Sequence, residues 1–258
     1  MLKYLAVTLL SNLVLNSARN DIIAQLQKQL LPLGGFKTLR TDNPVSIGLP
    51  AIEQSFPNAA FPIGCVHEFI CPAAEEISAA HGFIAGLASR FLQLGAVCLW
   101  ISHNRQLFPA ALKLFNINPE QVLFIDLKRE RDILYVVEDA LKCNKLCIVI
   151  GELQQISFKE SRRFQLAAEQ SRVTCFLLRN QPRITNTITA VSRWQVRSLP
   201  SELQDGLPGV GFPRWEVELV RVRNGVPGKW TIEWKVDAFV EVPEVVTEQE
   251  YTHIRKVG

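Results

Sequence analysis

The sequence predicts an α/β protein: a mostly parallel sheet flanked by helices and closed by a C-terminal antiparallel hairpin. Three observations carry this. Apolar strand-like runs alternate with helical stretches from Cys65 to Arg179, the rhythm of right-handed crossovers between parallel strands. "AVCLWIS" and "LCIVIGEL" are uninterrupted apolar runs, as in strands covered on both faces. Beyond Arg179 the rhythm changes. Trp230, Ile232, Trp234 and Val236 alternate with Lys229, Thr231, Glu233 and Lys235, the period of a half-buried strand.

Each element follows from its own pattern. "NDIIAQLQKQLL" places Ile22, Ile23, Leu26, Leu30 and Leu31 at helical spacing behind a capping Asn20 or Asp21, and Pro32, Gly34 and Gly35 end it. An irregular Pro- and Gly-dotted connector follows. "CVHEFIC" reads as a strand and "AEEISAAHGFIAGLASRFLQLG" as a helix with small residues on one side. "AVCLWIS" is a strand, "PAALKLFNI" a short helix and "QVLFIDL" a strand. "DILYVVEDALKC" is a helix with Ile133, Val136, Val137 and Leu141 on one side. "LCIVIGEL", "KESRRFQLAAEQS" and "VTCFLLR" continue as strand, helix and strand, and "TAVSRWQVR" as a further strand. "WEVELVRVRNGVPGKWTIEWKV" is a hairpin whose loop starts at Asn224-Gly225. The expected division is an extension over 1–19, a helix and connector over 20–60, a core over 61–236 and a flexible tail over 237–258.

Composition is that of an ordinary globular protein: 258 residues, 48% hydrophobic, 21% charged. A net charge of +3 does not by itself indicate a nucleic-acid binder. Cys65, Cys71, Cys98, Cys143, Cys147 and Cys175 lie mostly in apolar runs without zinc spacing, and so read as buried free thiols of a cytoplasmic protein. No metal or cofactor is expected. Lys3 and the apolar run to Leu15 imitate a signal peptide but are too short to span a membrane. The favoured account is an extension ahead of the fold, consistent with a start assigned too far upstream.

A parallel core closed by an antiparallel hairpin resembles the RecA ATPase core. "VSIGLPAIEQSFPNAAFPIGCVHEF" looks like the entry to that family's P-loop strand, and "ELVRVRNG" like its basic hairpin. More specifically, the chain is similar to the ImuA family, RecA-like proteins of bacterial mutagenic repair operons sometimes grouped with the cell-division inhibitor SulA. The residues that carry this are "LPLGGFKT", "FPIGCVHEF", "VLFIDLKRERDILYVVEDAL", "IVIGEL", "RRFQLAAEQS", "AVSRWQVR" and "GKWTIEW". The resemblance implies an accessory role in error-prone translesion synthesis within the DNA-damage (SOS) response. The implied partners are an ImuB-like Y-family polymerase homologue and an error-prone replicative-type polymerase, with RecA as a further candidate.

A working P-loop needs G-x-x-x-x-G-K-[ST]: backbone N–H groups form a nest, the Lys bridges the outer phosphates and the hydroxyl holds magnesium. The corresponding stretch here is "CPAAEEIS". Cys71 stands at the first Gly, Glu76 at the second, Ile77 at the Lys and Ser78 at the hydroxyl. Glu75 and Glu76 bring negative charge to the phosphate cradle, and as first-turn acids they suit the helix dipole. The water-activating Glu of the family falls on Asn104, which cannot act as a base. The magnesium-positioning Asp falls on Gly151, and the next residue, Glu152, is expected to point to the other face. These absences predict a pseudo-ATPase. His67 and His81 have no metal or triad partner at a suitable spacing and read as polar contacts.

The two RecA loops that contact DNA are expected to be reduced to stubs in "GELQQISFKESRRFQ" and "RNQPRITNTITAV", with Gln181 and Arg183 as remnants. Arginines nevertheless cluster in the C-terminal third, beside Trp194, Trp215 and Trp230. Arg183, Arg193, Arg221 and Arg223 are the candidates for a partner or weak, sequence-independent DNA interface, and Phe36 in "GGFKTL" is a further candidate docking residue. In "WQV" the packed side chain is expected to be Trp194 and the exposed one Arg193. Two rival readings stay open at this point. One is a divergent ATP-binding ATPase, marked by binding of ATP with magnesium. The other is a SulA-like division inhibitor, marked by filamentation without the polymerase genes.

Overall fold

The computed structural model describes residues 45–93, 96–103, 105–202 and 211–243. Within them, nine strands form one sheet in the order β3-β2-β4-β5-β1-β6-β7-β8-β9. The parallel part comprises β1 (Val66–Cys71), β2 (Val97–Ser102), β3 (Val122–Asp126), β4 (Leu146–Leu153), β5 (Thr174–Asn180) and β6 (Ser192–Leu199). The antiparallel part adds β7 (Arg214–Val222), β8 (Gly228–Lys235) and β9 (Ala238–Val242) beyond β6. β1, β2 and β4 are buried along their whole length, as their unbroken apolar runs require.

Four helices position the site. α1 (Pro50–Gln54) precedes the sheet, and α2 (Ala74–Leu92) follows β1. α3 (Glu130–Leu141) and α4 (Phe158–Ser171) cover the opposite face from α2. α4 begins with a capping box in which Ser157 and Glu160 bond each other's backbone N–H groups. α2 is buried over nearly all of Ile77–Leu92 because it lies between the sheet and a second covering layer. That layer includes Ile47, Leu49, Ile52 and Phe56 ahead of β1, and Leu112 and Phe115 of a 3-10 segment, Pro109–Phe115. The stretch from Ile47 to Phe56 is therefore part of the core, which begins earlier than position 61.

Small residues on α2 let the antiparallel strands approach. A Cβ on Gly82 would stand 2.9 Å from the Trp215 ring, and one on Gly86 would overlap the Phe239 ring. Phe239 also meets Trp234 edge-on at 4.9 Å and Phe83 at 5.3 Å. The tail expected to be flexible from Asp237 onward is thus corrected over Ala238–Val242: it is the edge strand, fixed by a buried aromatic. Its alternation was hidden by brevity and by the turn before it. Val236 and Asp237 both have positive φ, at 46° and 63°, as a tight hairpin demands. Val236 is 84% exposed in that turn and so ends the inward series Trp230, Ile232, Trp234 rather than extending it. The helix expected over 20–31, with Phe36 after it, lies outside the described residues.

Phe239→Ala should lower stability by about 3–5 kcal/mol, read as the urea midpoint at unchanged slope. A loss below about 0.5 kcal/mol would return β9 to the status of an appendage.

Candidate functional site

β1 and α2 are joined by only Pro72 and Ala73. A P-loop spans this junction with a wide glycine-rich turn whose N–H groups face inward. Here the helix has already begun at Ala74, so its first turn fills that space. Cys71 is fully buried at the end of β1, and burial, then the Glu76 and Glu152 charges, push its thiol far up. Ile77, at the lysine position, is 5% exposed and packs in the core. Ser78, at the hydroxyl position, faces solvent, and so does Glu75. Glu76 turns to Arg197 of β6, 3.3 Å away, which also pairs with Glu216 at 2.9 Å and Glu218 at 3.4 Å. The residues present do not fit a magnesium–triphosphate group: the cradle is helix, the lysine position is core and an acid faces the gap.

The end of β4 departs from expectation. Gly151 faces α3, where a Cβ would come within 2.7 Å of Val137. Glu152 instead faces α2. Its Oε1 accepts from Trp100 Nε1 at 2.6 Å and lies 3.0 Å from His81 Nε2, while Oε2 accepts from Asn180 Nδ2 at 3.1 Å. The expectation that Glu152 points away from the P-loop helix is corrected: residue 151 is the one turned away. The carboxylate is enclosed by its three partners, 4% exposed. Together with Ile77, His103, Glu130, Asn180 and Gln181 it lines a cleft of about 360 Å³ at the carboxyl end of the parallel strands. Asn104, the position aligned with the family's catalytic Glu, lies outside the described residues.

The histidines are polar contacts, as expected. His67 Nε2 donates to Pro62 O at 2.9 Å, and its Nδ1 lies 2.6 Å from Ser192 Oγ, which accepts from Trp194 Nε1 at 2.7 Å. Phe61 stacks on the imidazole with centroids 4.4 Å apart. Among the described residues, no group of three or more His, Cys, Asp or Glu could hold a metal ion. The six cysteines are free; all but Cys143 are buried.

Sequence reasoning missed a buried ion triad. Glu68 of β1 has no exposed surface. Its Oε1 meets Arg179 Nη1 of β5 at 3.0 Å, and its Oε2 meets Arg193 Nε of β6 at 2.7 Å. The signal was present: an acid in the middle of "CVHEFIC" and a cation closing "VTCFLLR" cannot be buried unpaired. The same guanidinium groups hold the crossover 181–191 between β5 and β6. Arg179 Nη2 donates to Ile184 O at 2.8 Å and Arg193 Nη2 to Asn186 O at 2.7 Å. Arg221 Nη2 donates to Ile188 O at 3.0 Å and Arg223 Nη2 to Thr189 O, also at 3.0 Å. Burial, then the neighbouring Arg193 charge, lower the Arg221 pKa from its usual value.

The expected arginine face is corrected accordingly. Arg193 and Arg221 are partly buried carbonyl clamps, and the guanidinium of the more exposed Arg223 does the same work. Arg183 alone of the four candidates makes neither an ion pair nor a side-chain hydrogen bond among the described residues, and it stands in solvent. The crossover is extended but pairs with no strand along 181–190, so side-chain donors satisfy its carbonyls.

This geometry defines a class. The crystal structure of the RadB recombinase superposes with a TM-score of 0.53, covering 77% of this chain and 100% of that one at 12% identity. The fold is RecA-like. By sequence, the chain is 29% identical over 210 residues to Protein ImuA of Caulobacter vibrioides, in strain NA1000 / CB15N and in strain ATCC 19089 / CIP 103742 / CB 15 alike. The match covers 75% of this chain and 85% of the relative. No family model matches. This likeness to Protein ImuA extends over most of the chain.

Two outcomes test this reading of the buried groups. Arg179→Met should cost roughly 3–5 kcal/mol, because Glu68 keeps a buried charge with one partner fewer. It should also speed tryptic cleavage at Arg183 as the crossover loosens; unchanged cleavage would show that the clamp does not hold it. The second outcome concerns pH. Burial pushes His67 down to about 4 from 6.5. Below 6.5 the unfolded chain takes up a proton that the folded chain refuses, so stability falls as pH drops through this window, by roughly 3 kcal/mol in all. His67→Asn should flatten that part of the profile of urea midpoint against pH; an unaltered slope would mean that His67 is protonated in the fold.

Proposed function

We propose that this protein is a non-catalytic RecA-like accessory factor of error-prone translesion DNA synthesis, a pseudo-ATPase that acts through partner binding in the cytoplasm. The observation that carries the reading is the two-residue junction between β1 and α2, with Ile77 buried and Glu76 tied to Arg197. It supports loss of the nucleotide site by construction and not by one substitution. The likeness to ImuA supports a place in DNA-damage tolerance. The partners that this family resemblance implies are an ImuB-like Y-family polymerase homologue and an error-prone replicative-type polymerase, with RecA as a further candidate. Among the described residues no helix is long and apolar enough to cross a membrane. Direct DNA contact, if made, is weak and sequence-independent and falls to Arg183, the candidate arginine left in solvent.

Two measurements test this. Calorimetry with ATP and magnesium should give no binding heat at millimolar nucleotide, and a micromolar Kd would overturn the pseudo-ATPase reading. Affinity-tagged full-length chain should retain the ImuB-like protein co-expressed with it; repeated failure to retain any of the three named partners would overturn the accessory role.

A further inference from the structure

The clamped crossover lies beside the connector from β4 to α4 and makes a ledge with it. Arg179 ties the two strips together, donating to Gln154 O at 3.4 Å and Ile184 O at 2.8 Å. Asn186 Nδ2 donates to Ile156 O at 2.9 Å, and Thr189 N to Ser161 Oγ at 3.2 Å. Both strips are therefore held in one conformation, and a ligand would not have to order them.

The ledge presents apolar side chains to solvent. Ile184 is 68% exposed on the crossover and Phe158 58% at the start of α4. Phe158, Arg162 and Leu166 recur at helical spacing, so they form one stripe along α4, and Leu166 is 48% exposed. Around these anchors the charge is positive and unbalanced. Lys159, Arg162 and Arg183 are exposed and make no ion pair among the described residues. Three carboxylates on these strips are already engaged: Glu160 closes the capping box, Glu130 accepts from the N–H groups of Gln154 and Gln155, and Glu169, one turn beyond Leu166, accepts from Gln165 Nε2.

We infer that this ledge docks an acidic polypeptide segment of another protein, with apolar anchors seated against Phe158, Ile184 and Leu166 and carboxylates against Lys159, Arg162 and Arg183. Charge complementarity selects the acid, and the exposed apolar stripe selects a chain that carries hydrophobic side chains. Single-stranded nucleic acid would match the cations but asks for flat aromatic surfaces on which bases stack, and the ledge offers one ring between two aliphatic side chains. The inference rests on the partner-binding reading above and adds to it the surface and the chemistry of the partner.

The test uses the full chain and three fluorescent probes in an anisotropy titration: a short peptide alternating Glu with Leu and Phe, the same peptide with Lys for Glu, and oligo-dT. The Glu peptide should bind, with salt-sensitive affinity, and the Lys peptide should not. Phe158→Ser with Ile184→Ser should weaken the Glu peptide by about tenfold or more, and Arg162→Glu with Arg183→Glu by a similar factor, at unchanged thermal midpoint because all four side chains are exposed. Equal binding of the two peptides, an unaffected double serine variant, or oligo-dT that binds at this ledge and displaces the Glu peptide would each overturn the inference. Capture of the co-expressed polymerase homologue separates the two levels. Retention by the serine variant removes the ledge and leaves the accessory role standing, whereas no retention by either chain removes the accessory role, and the peptide titration still decides the ledge.

Discussion

Glu68 sits without solvent contact between Arg179 and Arg193, and much of the molecule's carboxyl end follows from that. A carboxylate in the middle of a central strand would be costly alone, and two guanidinium groups would be costly without it. Held together, they fix β5 and β6 on either side of β1 and leave spare N–H donors directed at the crossover. Arg221 of β7 and Arg223 in the turn just after it extend the same arrangement, so that four cations hold one irregular segment by its carbonyls. The result is an irregular crossover fixed along its length by side-chain donors.

The junction between β1 and α2 is built by different means. Only Pro72 and Ala73 separate the strand from the helix, and the first-turn acid Glu76 is bound to Arg197. At the end of β4, Glu152 is enclosed by an indole, an imidazole and a carboxamide. Both arrangements leave the sheet register intact, although Glu76 Oε2 and Asn180 Oδ1 are buried without a hydrogen-bond partner among the described residues.

Much of the fold was legible because its signals are redundant. Unbroken apolar strands, the spacing of α3 and the alternation of strand with helix each point the same way as the layout. The site was less legible. That "CPAAEEIS" lacks the phosphate chemistry follows from residue types, but that Glu152 faces α2 and Gly151 does not depends on where α3 packs, which no local period encodes. The arginines misled for a physical reason: composition counts cations without telling a solvated one from one that holds a backbone carbonyl. β9 was missed because a five-residue strand behind a Val-Asp turn carries almost no periodic signal, and the glycines of α2 that receive Phe239 are far away in sequence.

Gly151 against Val137 and Ile77 in the core also limit what this end of the sheet could be made to bind. A lysine at 77 would have to place an ammonium among buried side chains, an aspartate at 151 would collide with α3, and a glycine-rich turn would have to unwind the first turn of a helix already packed. Each step taken singly would be penalised before a complete site existed to reward it. Installing a nucleotide site here therefore works like a lock with several tumblers: several coordinated changes in the core would have to be made together, and no single substitution opens it.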